Sequence, residues 1–191
     1  MPPRDYVLST VLEGHSSDVR CIAVAPSGRI ITASRDMTMR LWDPAPGAAG
    51  AAGGAYICHN TVHHSSWLTS LCVLPPLPQA ANTLLHAVGG IVAGCKDGQI
   101  QLHDSEGTVL FVLPGHSAQV SSVSVTSKGL LVSGSWDGSM RVWDLSTEKC
   151  VFQQDGFENG VTVLGLPNGS IATGSAGLQT GPSQVGEMKI R

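Results

Sequence analysis

Charge is scarce in this sequence. Lys, Arg, Asp and Glu make up 13% of its 191 residues, where an average soluble domain carries about a quarter. The net charge of −3 leaves no basic stripe, so binding to nucleic acid gets no support. Aromatic residues are few as well, at 5%, and a core must come mainly from aliphatic side chains. No apolar run approaches the roughly 20 residues that a membrane-spanning helix needs. Residues 1–10 lack the basic-then-apolar pattern of a secretory leader. The five cysteines (Cys21, Cys58, Cys72, Cys95, Cys150) are odd in number. They lie in strand-like contexts and read as small buried hydrophobes of a reducing, intracellular protein. What the chain does have is glycine, 23 of them, and 42% hydrophobic residues. That is the punctuated, turn-rich composition of an all-β repeat protein rather than of a disordered chain.

The repeat is complete once, over residues 113–144, LPGHSAQVSSVSVTSKGLLVSGSWDGSMRVWD. Gly115-His116 opens it and Trp143-Asp144 closes it. Three apolar runs of strand character lie between, at residues 120–125, 130–135 and 140–143, and a fourth follows at 150–153. Turn signals at 127–129 and at Asp137-Gly138 separate them. Four short antiparallel strands with this opening and ending are the signature of a β-propeller blade. A His at the entry to the innermost strand can reach an Asp in the turn after the second strand. A Ser two residues before that Asp is expected to bridge the His to the indole N–H of the closing Trp. His116, Ser135, Asp137 and Trp143 fill these places. Such a buried relay is structural, and stranding one member costs about 1–3 kcal/mol. A catalytic reading of His, Ser and Asp fails because the Trp occupies the hydroxyl.

The same spacing recurs upstream. Twenty-seven residues separate His15 from Trp42, as they separate His116 from Trp143; 21 separate His15 from Asp36, as His116 from Asp137. Blade one thus spans residues 14–59, with the relay His15, Ser34, Asp36 and Trp42. A strand-like run at 6–12 is expected to be the outer strand that closes a propeller ring. The Ala/Gly/Pro run at 44–55 reads as a surface loop. Blade two, 63–113, is degenerate: His64 and Asp97 stand in register, His103-Asp104 replaces the Trp-Asp pair, and a loop at 75–87 lengthens it. Cys58, His59, His63 and His64 do not have a usual zinc-ligand spacing, so neither metal nor cofactor is expected. Blade three spans 115–153. Blade four, 157–191, lacks the Gly-His and Trp-Asp pairs, and its third strand is expected at 188–190. The expected fold class is therefore an all-β WD-repeat β-propeller of about three and a half blades, part of a larger, seven-bladed ring. The alternative is a tight four-bladed ring closed by residues 6–12.

Two longer stretches narrow the family. LSTVLEGHSSDVR at 8–20 and ASRDMTMRLWDP at 33–44, with GCKD at 94–97 and SGSWD at 133–137, resemble the amino-terminal propeller of the phospholipase A-2-activating protein family. The resemblance implies a ubiquitin-binding adaptor of the hexameric AAA ATPase segregase, acting in ubiquitin recycling and proteasome-dependent degradation in cytoplasm and nucleus. It covers only the first part of that family's propeller, so the segregase is implied as a partner only where the family's later domains are present.

Function must come from exposed positions rather than from the relays. In this repeat, residues flanking the first core residue of the innermost strand, and the residue before the turn Asp, point to one face. These are Asp18, Arg20 and Arg35 in blade one, Trp67, Thr69 and Lys96 in blade two, and Gln119, Ser121 and Trp136 in blade three. Trp and Arg are the types that dominate interface hot spots. The reading is a non-catalytic protein-binding scaffold, with ubiquitin or a ubiquitinated protein as partner and neither nucleic acid nor membrane. A general WD-repeat scaffold for another intracellular complex is the alternative, and a hydrolase using His59 to His64 is the distant one, lacking a nucleophile.

Overall fold

A computed structural model describes residues 10–46, 55–76, 89–175 and 184–189. Of the closing strand expected at 6–12, residues 6–9 lie outside the described residues and residues 10–12 form no strand; most of both long loops also lie outside the described residues. Fifteen strands form four antiparallel sheets, each with its strands in chain order, and the described residues contain no helix. The first sheet holds β1 (Val19–Val24), β2 (Ile30–Ser34), β3 (Thr38–Pro44) and β4 (Tyr56–His63). The second holds β5 (Leu68–Leu74), β6 (Gly90–Cys95), β7 (Ile100–His103) and β8 (Val109–Leu113). The third holds β9 (Val120–Val125), β10 (Leu131–Ser135), β11 (Met140–Asp144) and β12 (Lys149–Gln154). The fourth holds β13 (Val161–Gly165), β14 (Ser170–Ser175) and β15 (Gln184–Lys189).

The cores sit between sheets, not within them. The innermost strands β1, β5, β9 and β13 stand side by side, and three apolar clusters fill the seams. Ile31, Met39 and Leu41 of blade one meet Leu68 and Ile91 of blade two. Leu102 and Leu113 of blade two meet Val120, Leu131 and Trp143 of blade three. Val132, Met140 and Val142 of blade three meet Val161, Val163 and Ile171 of blade four. Each fully buried aliphatic side chain contributes about 1.5–3 kcal/mol, so each blade depends on its neighbour, as in any repeat array. Close approach needs small residues at the seam. A Cβ on Gly134 would stand 2.1 Å from the Val161 carbonyl oxygen.

The array is open at its ends. Val19, Ile22 and Val24 of β1 are 46%, 65% and 62% exposed, and Leu164 of β13 is 56% exposed. In blade three the corresponding Val120 and Val123 are buried against blade two. The described blades therefore form an arc of a β-propeller rather than a closed four-bladed ring.

Two boundaries and the burial of one cysteine differ from the sequence reading. The outer strand of blade one does not stop at residue 59. It runs through His63, which pairs with Thr38, because the β-bulge at Trp42 re-registers the strand and lets it continue. The third strand of blade four begins at Gln184, earlier than expected, and pairs along all of β14. Cys150 is exposed on the outer strand β12 and is not a core residue; all five thiols are free. Burial pushes the Cys72 and Cys95 thiols up to about 12.

The histidine relays and the candidate partner-binding face

In blades one and three the relay is closed. His116 Nδ1 lies 2.9 Å from Asp137 Oδ2, and His15 Nδ1 lies 2.8 Å from Asp36 Oδ2. The bridging hydroxyl is not the Ser two residues before the Asp. It is the residue four before, Ser133 or Thr32. Trp143 Nε1 donates to Ser133 Oγ at 2.8 Å and Ser133 Oγ meets His116 Nε2 at 2.7 Å. Trp42, Thr32 and His15 repeat this at 2.8 Å and 2.7 Å. An indole N–H can only donate. The hydroxyl thus accepts from Trp, gives its own proton to Nε2, and leaves Nδ1–H to donate to the Asp. A hydroxyl buried and engaged in this way is no nucleophile.

Ser34 and Ser135 do a different job. Each hydroxyl accepts the N–H of the turn Asp, at 3.0 Å and 3.1 Å, and donates to the carbonyl of Ser17 or Ala118. Alternation places residues two apart on one face of a strand, so both pairs face the His, but the ring and indole meet at the deeper hydroxyl. Two further residues complete the cage and escaped the sequence reading. Thr38 and Ser139 donate to the second oxygen of Asp36 and Asp137, both at 2.6 Å. A hydroxyl residue two positions after the turn Asp in both blades was the available signal. The Gly before His116 also has a steric reason. A Cβ on Gly115 would stand 2.8 Å from the Trp143 ring, and one on Gly14 would displace only the movable end of the Arg40 side chain, 2.6 Å away.

Burial would raise the Asp137 carboxyl, but the Ser139 hydroxyl, His116 and the Ser117 N–H outweigh it and hold it down at about 2. Asp36 is likewise held well below the usual carboxylate range against burial by Thr38, His15 and the Ser16 N–H. His116 lies below its ordinary value, burial outweighing Asp137. The pair is a neutral imidazole donating to a carboxylate.

Blade two forms no such relay. His64 does not reach Asp97; its Nδ1 lies 2.8 Å from Gln101 Oε1, and its buried Nε2 has no hydrogen-bond partner. Asp97 is exposed and only caps its own turn, through the Gln99 N–H at 3.1 Å. The substitutions are concerted. Ala93 stands where Thr32 and Ser133 supply the hydroxyl, Gln101 replaces Arg40 and Arg141, and His103 replaces the Trp. His63 occupies the place of the glycine. His64 and His103 meet edge to face at 5.2 Å. Burial, and then the neighbouring His64, push His103 down to about 4; burial also lowers His64.

The nine candidate face residues divide into two groups. Backbone bonds from Arg35 to Asp18, Lys96 to Trp67 and Trp136 to Gln119, each 2.9–3.0 Å, set the three blades in one geometry. Asp18, Arg20, Arg35, Lys96 and Trp136 are exposed, Trp136 by 60%. Trp67 is half-buried, with the Arg35 guanidinium 5.3 Å and the Lys96 ammonium 3.9 Å from its ring centroid. Trp136 packs over Gly160 of blade four, where a Cβ would stand 2.9 Å from the indole. Gln119 is half-buried beside it. Thr69 and Ser121 face inward instead. Thr69 donates to the Gly94 and Val120 carbonyls, and Ser121 to the Val161 carbonyl, tying one blade to the next. An inner strand meets its neighbour without a shared sheet, so hydroxyls satisfy carbonyls across the seam.

The His-rich segment does not converge. His59 Nε2 lies 2.9 Å from Glu106, Cys58 turns to the Asn60 carbonyl, and His64 belongs to blade two. Among the described residues no three His, Cys, Asp or Glu side chains group as metal ligands. Arg29 anchors the outer junction of blades one and two. It donates to Asp43 at 2.6 and 3.0 Å, to Glu106 at 2.9 Å and to the Ser105 carbonyl. Its hydrogen bonds to Asp43 raise the guanidinium and depress the carboxyl in turn.

Four-stranded blades, two of them carrying a His–Asp–hydroxyl–Trp relay, are the architecture of a partial β-propeller with WD40 repeats. The family model for the WD domain, G-beta repeat, matches residues 6–43 and 107–144. Among curated proteins the chain is similar to Phospholipase A-2-activating protein of Xenopus laevis, 35% identical over 156 residues, which cover 79% of this chain and 18% of that protein. It is 28% identical over 141 residues to Ubiquitin homeostasis protein lub1 of Schizosaccharomyces pombe, covering 73% and 18%. It is 31% identical over 174 residues to Nuclear distribution protein PAC1 of Arthroderma benhamiae, covering 83% and 36%. The chain spans about a fifth of the length of the first two relatives. It carries WD40 repeats and resembles the propeller segment of the phospholipase A-2-activating proteins.

Proposed function

We propose that this chain is a non-catalytic protein-binding scaffold of ubiquitin homeostasis, with ubiquitin or a ubiquitinated protein as its partner. The observation that carries the reading is the group of Arg35, Trp67 and Lys96 at the seam of blades one and two, with exposed Trp136 in the equivalent position of blade three. The similarity to a protein named for ubiquitin homeostasis supports ubiquitin as the partner in this reading. In such a scaffold the relays fix the blades and the face does the binding. Recruitment of an AAA ATPase segregase, a role in proteasome-dependent degradation, and residence in cytoplasm and nucleus belong to the same proposal. The likeness to a nuclear distribution protein over 83% of this chain favours a second reading, a general WD-repeat scaffold for another complex.

A small patch of this kind binds weakly, with an affinity on the order of micromolar or poorer. Titration of the isotope-labelled chain with ubiquitin, read by NMR, should move resonances of the face. Replacing Trp67 and Trp136 with Ala should abolish the response. Equal shifts in the double variant would remove this face, and no shifts in either protein would leave the general scaffold.

A further inference from the structure

The seam between blades one and two carries a feature that the other described seams lack. Trp67, at the entry to β5, has two cations against one indole ring: Arg35 from the turn before β3 and Lys96 from the turn before β7. At 5.3 and 3.9 Å from the same centroid, the two charges are closer together than the sum of those distances. Like charges at that range repel, and the attraction of each for the ring face is what holds them there. Among the described residues the carboxylate paired with either is Asp18, 3.2 Å from Arg35, with both side chains largely in water. In blade three the residue before the turn Asp is Trp136 and the position of Asp18 is taken by Gln119, so neither of these two positions carries a charge.

We infer that the blade one–blade two seam reads an anionic side chain of the partner, a carboxylate or a phosphate, seated between Arg35 and Lys96 at the edge of Trp67. Trp136, further round the same face, takes an apolar neighbour of that side chain. Of the two cations against the ring, Arg35 is paired with Asp18 and Lys96 is in no ion pair among the described residues, and an arriving anion supplies the missing partner. Trp67 acts as the spacer that keeps both donors aimed outward, and Asp18 holds Arg35 from swinging away. The inference rests on the reading of this face as the partner-binding one.

The test uses three peptides, acetyl-Gly-Leu-Xaa-Leu-Gly-amide with Xaa as Ser, Glu or phosphoserine, titrated at fixed ionic strength into the labelled 191-residue chain. The readout is the Trp67 indole N–H resonance. The Glu or phosphoserine peptide should give a saturable shift and the Ser peptide none; the stronger of the two identifies the source of the anion. Arg35→Gln and Lys96→Gln should each weaken that binding about two- to fivefold, the effect of one exposed charge pair. The double variant should abolish it. Lys96→Arg should retain it, and Lys128→Gln, on blade three, should leave it unchanged. Equal shifts with all three peptides, an unaltered response in a folded double variant, or no saturable shift with any peptide would overturn the inference. A positive peptide result with no response to ubiquitin would retain the anion seam and remove only ubiquitin. The converse would remove the seam alone.

Discussion

Blades two and three share strand order, turn Asp and seam packing, yet they satisfy their buried histidines in different ways. Blade three closes a chain from Trp143 through Ser133 and His116 to Asp137 in which each proton has an acceptor. Blade two replaces Trp with His103 and the hydroxyl with Ala93, and Gln101 catches one nitrogen of His64 while the other has no partner. Both blades keep four paired strands. The difference teaches that the relay is not what makes a blade. Apolar seams do that, and the relay sets how firmly the innermost strand is tied to its turn.

That contrast can be broken by deletion. Ser133→Ala strands both the His116 imidazole and the Trp143 indole and should cost about 2–4 kcal/mol in chemical denaturation. Asp137→Ala and His116→Ala should each cost about 1–3 kcal/mol. Asp97→Ala in blade two, which loses only an exposed turn cap, should stay within about 0.5 kcal/mol. Losses below about 0.5 kcal/mol for the three blade-three variants would show that the relay contributes nothing. Ser135→Ala should fall below Ser133→Ala, since it leaves the His–Trp bridge intact.

Repair is the complementary test. Ala93→Ser places a hydroxyl where blade three has Ser133, within the register that serves the His ring. Pairing the orphaned His64 Nε2 should stabilise the chain by about 0.5–1.5 kcal/mol. A neutral or destabilising result would mean that Gln101 already exhausts what His64 can gain. A smaller contrast lies in the turns. Blade one holds Met37 at φ 62, where blades two and three have Gly98 and Gly138 at φ 88 and 75. A side chain pays a steric penalty in that left-handed conformation, and glycine escapes it at some entropic cost. Met37→Gly should raise stability by about 0.5 kcal/mol, measured as a shift in the denaturation midpoint.

Much of this was legible in the sequence. Identical spacings from His15 and His116 to their Asp and Trp partners placed the blades, and glycine and Asp turns bounded the strands. The depth of the relay was not legible. Thr32 and Ser34 lie on the same strand face, and pattern alone does not say which hydroxyl the imidazole reaches. Nor could the sequence show that Thr69 and Ser121 turn inward, because the carbonyls they satisfy belong partly to another blade. The partnership of Arg35 and Lys96 with Trp67 likewise depends on how two blades meet. Blade two shows the limit most plainly. His64 and Asp97 kept their places in the alignment, but the loss of the hydroxyl at Ala93 and of the indole at 103 redirected the ring to Gln101.

Acid separates the two blades most directly. His103 is held down at about 4 by burial and by His64, while its ordinary value is 6.5. Asp104 and the backbone of Ile91 and Gln101 pull the other way, and His63 acts on His64 in the same sense as burial. Between about 6.5 and 4 the unfolded chain therefore holds a proton that the folded chain does not, so this contribution to stability is lost as pH falls through that window. In blade three His116 is also lowered by burial, but less far than His103 because Asp137 pulls the other way, so it adds a smaller loss in the same window. Asp137 behaves otherwise. Its stabilisation, present above the ordinary value of 3.8, is lost only as pH falls toward about 2. The deciding measurement is residue-resolved amide hydrogen exchange at pH 7 and pH 5, corrected for intrinsic rates. Protection in β6 and β7 should fall on the order of tenfold more than in β10 and β11. An equal loss in both blades, or a larger one in blade three, would contradict the account.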